Sequence, residues 1–291
     1  MKLLENIKQT YLQGNASVRL IYLNIALYLF LQIIVVLLKL LTIDGSFLFG
    51  LLALPSEPIL ILHQPWSLLT YMFLHQDFFH ILFNMFALYW FGKLFLMYFS
   101  EKQLFGLYVI GGLAGGLLYI IAYNIFPLFM QSTGLLMGAS GSITAIILAV
   151  ALNSPNLEMR FLLIGNVKLK FIAIAVVLIS FFGITSSNAG GEIAHLGGAL
   201  YGYIFIVSLR HGKDNTRGFN RLMDAFSTLL KPRRLKVKKS AGNKKMNDQE
   251  YNMHKAGNLA EIDRILDKIK TSGYGSLSGE EKRKLFDQGK K

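Results

Sequence analysis

No cysteine occurs in the 291 residues, so disulfides, thiolate nucleophiles and cysteine-based metal sites are excluded. Charge is scarce too. Asp, Glu, Lys and Arg make up 16% of the chain, against about 25% in an ordinary soluble domain. The pattern HExxH is absent, which leaves a zinc protease without an anchor. The apolar segments contain no pair of acidic residues, which excludes an aspartyl mechanism. Nothing in the sequence calls for a metal or a cofactor.

What is present is apolar. Hydrophobic residues are 53% of the chain and the mean hydropathy is +0.44. The charge that exists is segregated. From Arg210 onward there are 21 Lys/Arg and 10 Asp/Glu, so this stretch carries +11 of the total +13. The chain divides into a cytoplasmic N-terminal segment (1–17), a nearly neutral membrane body (18–209) and a basic cytoplasmic tail (210–291). The first apolar run is too long for a signal-peptide core and lacks an obvious cleavage site, so it reads as a retained span.

Spans of roughly 20 apolar residues, or fewer when a helix is surrounded by others, place six membrane helices. They are Val18–Leu41, Leu74–Phe95, Leu104–Ile125, Ser140–Leu152, Leu169–Ile184 and Ile193–Leu209. The fourth is short and is expected at the centre. The third is studded with Gly111, Gly112, Gly115 and Gly116. The fold class is therefore all-α: a polytopic six-helix bundle. Between the first two spans, Thr42–Pro65 is broken by Gly45, Pro55 and Pro58 and reads as a long connection set in the interface.

Loop charges set the orientation. Lys or Arg occurs in the N-terminus, in Lys93–Lys102, in Glu158–Lys168 and in the tail. The alternate loops Thr42–Pro65, Phe126–Met137 and Thr185–Glu192 have none; their only charges are Asp44, Glu57 and Glu192. Both termini are thus expected in the cytoplasm. Ser140 and His195 then begin helices entering from the outer face, and His75, His80 and Asn84 lie at the same depth.

These polar residues are the candidates for chemistry, because ionisable groups in lipid are costly and default to function. Gly138, Ser140, Gly141 and Ser142 could serve only to let helices approach. A Gly-x-Ser-Gly turn also suits a nucleophile, since glycines permit a tight backbone that projects the hydroxyl. His195 could be a histidine bonded to a carbonyl. Equally, a neutral imidazole is the base that a serine hydroxyl requires. Gly198 and Gly202 lie on roughly the same face of that helix, where they would bring His195 against the fourth span. His80 and Asn84, spaced i, i+4, share a side. They are an interhelical hydrogen-bonding pair or donors for a developing oxyanion. His75 lies about 140° from His80 on an ideal helix and is placed off the site, holding a loop. No carboxylate stands near His195 in the pattern, so a Ser140–His195 dyad without a third member is expected.

Assembled, these residues make the sequence resemble the rhomboid family of intramembrane serine proteases. The resemblance covers about Val18 to Leu209. It rests on His75-x-x-x-x-His80-x-x-x-Asn84-Met85, Gly138-Ala139-Ser140-Gly141 and Ala194-His195-x-x-Gly198-x-x-x-Gly202. It implies a six-helix fold in a bacterial inner membrane and a serine endopeptidase that cuts transmembrane protein substrates within the bilayer. Ser140 would be the nucleophile, His195 the base, and His80, Asn84 and the Ser140 backbone amide the oxyanion hole.

Three positions depart from the family. Trp66 is followed by Ser67 where many members have Arg, and Leu96 stands where a Glu is common. Thr144 occupies the place of a Tyr that stacks on the catalytic His in several bacterial members, so another group must orient His195. Two other readings are a non-catalytic rhomboid-like chaperone, which would usually have lost Ser140 or His195, and a small transporter, which would need no Gly-x-Ser-Gly.

The tail carries basic runs at Lys231-Pro-Arg233-Arg234 and Lys236–Lys239. They read as a solvated segment near anionic headgroups; without aromatic interleaving no nucleic-acid partner is expected. Beyond them, Ala256–Lys270 has a helical apolar stripe, Thr271–Tyr274 a turn through Gly273, and Ser278-x-x-Glu281 a capping box opening a second helix.

Overall fold

The structure, a computed structural model, describes residues 2–130, 132–161, 165–230 and 261–288. It divides into two compact units, Met1–Lys231 and Pro232–Lys291.

In the first unit, α1 (Lys2–Gln13) leads into α2 (Ala16–Leu40), whose start is fixed by Asn15: its side chain accepts the Val18 N–H at 3.1 Å. Short helices α3 (Ser46–Leu52), α4 (Pro58–His63) and α5 (Ser67–Thr70) follow, then a 3₁₀ turn at Tyr71–Phe73. The long helices are α6 (Phe78–Leu96), α7 (Glu101–Ile125) and α10 (Ala189–Arg210), with the shorter α8 (Ser140–Asn153) and α9 (Leu169–Gly183) between the last two. The helix α11 (Arg217–Leu230) closes the unit.

Four of these, α2, α6, α7 and α10, are long and apolar enough to cross a membrane. The apolar α8 and α9, at 14 and 15 residues, reach only about 21–22 Å at 1.5 Å per residue, short of a hydrocarbon core of about 30 Å. For α8 the shortfall has a visible reason. Every residue from Gly141 to Ala151 is buried, so the helix is the centre of the bundle. Around it pack α6, α7, α9 and α10. Large apolar side chains instead cover the outside: Leu29, Phe30, Phe83, Phe86, Ile179 and Phe182 are all exposed, as a helix facing lipid requires.

The connection between α2 and α6 is held from both sides. The Trp66 indole Nε1 donates to the Leu51 carbonyl at 2.9 Å, and Thr70 Oγ1 donates to the Leu52 carbonyl at 2.6 Å. These bonds anchor the loop although Ser67 replaces the expected Arg. Strand β1 (Leu54–Pro55) pairs antiparallel with β2 (Leu135–Leu136), joining this connection to the loop before α8. A second antiparallel pair, β3 (Glu158–Phe161) with β4 (Gly165–Lys168), joins α8 to α9 where the sequence pattern gave only a charged connection.

The helix α11 is bound to α7 by the Lys102–Asp224 ion pair (2.6 Å) and by Phe219 on Phe105, and the turn before it by a hydrogen bond from the Gln103 amide to Asp214 (3.1 Å). The compact unit therefore runs some twenty residues past Leu209, where the apolar pattern ends.

In the second unit, helix α12 covers 261–272 and α13 covers Gly279–Gln288. Gly273 turns between them at φ +74°, a value that favours glycine. Ser278 and Glu281 form the capping box: the Ser278 N–H donates to Glu281 Oε2 at 2.6 Å, and the Glu281 N–H donates to Ser278 Oγ at 3.3 Å. That backbone bond, with Lys268 beside it, holds the Glu281 carboxyl below its ordinary range. Ile265 and Leu277 are buried. The basic runs at 231–239 and the first residues of the apolar stripe, 256–260, lie outside the described residues.

Candidate active site

The site is assembled at the N-terminus of α8. The loop entering it is fixed by the β1–β2 pair and by the Gly138 N–H, which donates to the Tyr71 carbonyl at 2.9 Å. Tyr71 is tethered in turn by its hydroxyl, which donates to the Gly112 carbonyl in α7. Gly138 has φ +126°, which a residue with a Cβ adopts only with strain. A Cβ there would also stand 2.7 Å from His80 Nε2 and 3.7 Å from Ser140 Oγ. The imidazole of His80 and the hydroxyl of Ser140 therefore face the same glycine. Ser140 is the first residue of α8 and half-buried, and its N–H is among those that a helix start leaves without an intrahelical acceptor.

His80 and Asn84 come from α6. Asp77 caps this helix by accepting the His80 N–H at 2.8 Å, so the helix begins at Phe78. Asn84, one turn on from His80, is buried with Ile81, Met85 and Leu88 on the inward face, and its amide Nδ2 has no hydrogen-bond partner. The cap also corrects the reading of His75. That residue precedes the helix, so the 140° wheel argument does not apply. Its buried ring instead packs edge-on against His80, with centroids 5.0 Å apart.

α10 brings His195. A Cβ on Gly198 would collide with the Gly141 carbonyl oxygen, and one on Gly202 with that of Ala145. A Cβ on Gly141 would sit 3.2 Å from the Ala194 carbonyl oxygen. The two backbones touch, and the residue after Ser140 lies against the residue before His195. The His195 and His80 imidazoles are close enough to interact electrostatically.

His195 does not lack a carboxylate. Its Nδ1 is 3.2 Å from Glu192 Oε2 and 3.1 Å from Ser180 Oγ. A histidine without a carboxylate is expected only if the sixth span starts at Ile193, which leaves Glu192 in a loop. The helix begins at Ala189, one turn earlier, and puts Glu192 three residues before His195 on one face. The i, i+3 spacing was the available signal. Ser180 gave a weaker one, as the lone hydroxyl in an apolar run. Thr144 is occupied elsewhere: its Oγ1 donates to the Ser140 carbonyl at 2.8 Å. Among the described residues no group of three or more His, Asp or Glu is placed to hold a metal ion.

A model of the Rhomboid domain matches residues 62–212, which span the site and all the helices around it. The chain belongs to the rhomboid family. This rhomboid is accordingly a multi-pass membrane protein with a helical bundle fold. It is similar to the mitochondrial RHOMBOID-like protein 12 of Arabidopsis thaliana, 30% identical over 161 residues (50% of this chain and 47% of the relative). It is also similar to RHOMBOID-like protein 1 of the same plant, 28% identical over 181 residues (57% of this chain and 42% of the relative). The chain thus matches rather less than half the length of these curated relatives. Residues 246–291 match a second model, a family of unknown function (DUF6576).

Proposed function

We propose that this rhomboid is an intramembrane serine endopeptidase in which Ser140 is the nucleophile and His195 the general base. The observation that carries the reading is the convergence at the start of α8: one serine hydroxyl, the ring of His80 and the His195 turn of α10 meet around Gly138 and Gly141. A bundle held by packing alone requires none of these polar groups there.

In the proposed reaction, Ser140 Oγ adds to the scissile carbonyl carbon as its proton passes to His195. His195 then returns the proton to the leaving amine, and water releases the acyl-enzyme. Negative charge develops on the carbonyl oxygen. The Asn84 amide, the His80 ring and the Ser140 N–H at the positive end of α8 are the groups arranged to receive it. The substrate is a transmembrane helix, which must unwind locally because a helical carbonyl is already hydrogen-bonded. Residues that weaken helices should mark the cut. The distribution of Lys and Arg among the loops supports a site near the outer face of the membrane, with both termini in the cytoplasm.

Labelling with a fluorophosphonate probe tests the reading. Wild-type protein should label, and Ser140→Ala and His195→Ala should not. Equal labelling of all three would end it.

A further inference from the structure

We propose that Glu192 and Ser180 are positioning residues for His195, holding Nδ1 as the protonated ring nitrogen and leaving Nε2 bare toward Ser140. The inference rests on the Ser140–His195 reading and adds to it a carboxylate and a hydroxyl from outside the recognised motifs.

Both contacts converge on a single ring nitrogen, at 3.2 Å for Glu192 Oε2 and 3.1 Å for Ser180 Oγ. An ionised carboxylate only accepts hydrogen bonds. A bare Nδ1 would point its lone pair at that oxygen and be repelled, so the stable neutral tautomer carries its proton on Nδ1. The lone pair that remains, on Nε2, is the one able to take a proton from a serine. Once it has done so, the imidazolium has an anion beside it.

The placement of Glu192 also argues against a merely solvated surface charge. Its side chain is 16% exposed and that of His195 20%. It lies against α9 at Gly183, where an added Cβ would stand 2.8 Å from the Glu192 Cγ. A carboxylate so enclosed is costly unless it is paired, and its partners are the His195 ring, the Ser180 hydroxyl and the Asn188 amide. It also occupies the first turn of α10, where the helix dipole favours negative charge. Ser180 is 2% exposed, while its neighbours Phe181 and Phe182 are 58% and 73% exposed. On a helix that turns apolar side chains outward, the one buried hydroxyl is directed at the histidine. From α6, the titratable group that interacts with His195 is His80.

Full-chain protein carries the test, using the fluorophosphonate probe and ¹⁵N NMR of histidine-labelled protein. The NMR should report an Nδ1–H tautomer for His195 in the wild type and a mixture in Glu192→Leu/Ser180→Ala. Glu192→Gln should slow labelling by about 10- to 100-fold, less than the roughly 10⁴-fold cost of the corresponding change in a buried triad, because Ser180 still holds the ring. Glu192→Asp should recover part of the rate, and Ser180→Ala alone should lose about threefold to tenfold. Labelling of Glu192→Gln within twofold of wild type, or an Nε2–H tautomer in the wild type, overturns the proposal even where Ser140→Ala abolishes labelling. If Ser140→Ala labels normally, it is the protease reading that fails, and the tautomer measurement still decides the arrangement of His195. Should Glu192→Gln not fold, Glu192→Asp and Ser180→Ala decide by the same two readouts.

Discussion

Asn84 is among the buried residues that keep a polar atom without a partner in the described structure. A buried amide donor without an acceptor costs about 1–3 kcal/mol, and no described residue gives the Asn84 Nδ2 an acceptor that would offset it. An oxygen that becomes negative during the reaction would. Asn84→Ala should therefore leave thermal stability unchanged or raised, while slowing cleavage of a model transmembrane substrate by about 10²–10³-fold, the cost of deleting one oxyanion donor. Unchanged cleavage would remove Asn84 from that role. At this scale the sequence revealed residues in proportion to how badly they fit lipid. His80, Asn84, Ser140 and His195 stood out as polar groups within apolar runs. Glu192 did not, because it sits at the mouth of a helix where water would also accept it. Ser180 did not, because a hydroxyl costs little in lipid.

Among the elements, the contact between α8 and α10 decides whether the site exists. Its tolerance is set by Gly198 and Gly202, each of which would drive a Cβ into a carbonyl oxygen of α8. Gly198→Ala should cost about 1–3 kcal/mol as over-packing does, lowering the unfolding temperature and reducing fluorophosphonate labelling together. Gly218→Ala in α11, where a Cβ meets nothing within 4 Å, is the control and should be neutral or slightly stabilising. The spacing of Gly198 and Gly202 was legible from the pattern, and so was the central place of the short α8. The start of α10 was not. Hydropathy marks where a helix becomes apolar, whereas this helix begins with Ala189-Gly190-Gly191-Glu192, which reads as loop. The β3–β4 hairpin was hidden for a similar reason: its strands are too short and too polar to give a period.

For the whole molecule, the alternation of basic and non-basic loops is the basis of the proposed orientation. The absence of native cysteine makes it directly measurable. Single cysteines at Ser46 and Ser132 should react in intact cells with a membrane-impermeant maleimide. One at Ser100 should react only after the membrane is opened. Reversal of that pattern would invert the proposed topology and place the site on the opposite face.

The two-residue strap between β1 and β2 also links the site to side chains at the surface. It ties Leu136, two residues from Gly138, to Leu54, in a connection whose flanking helices expose Phe47, Leu51, Ile59 and Leu62. Apolar side chains seek a fixed depth in a bilayer, so the thickness of the surrounding membrane bears on where such helices sit. A shift of these helices would be passed by the strap to the glycine between His80 and Ser140. The reach of the lipid acyl chains would then bear on how the hydroxyl is presented.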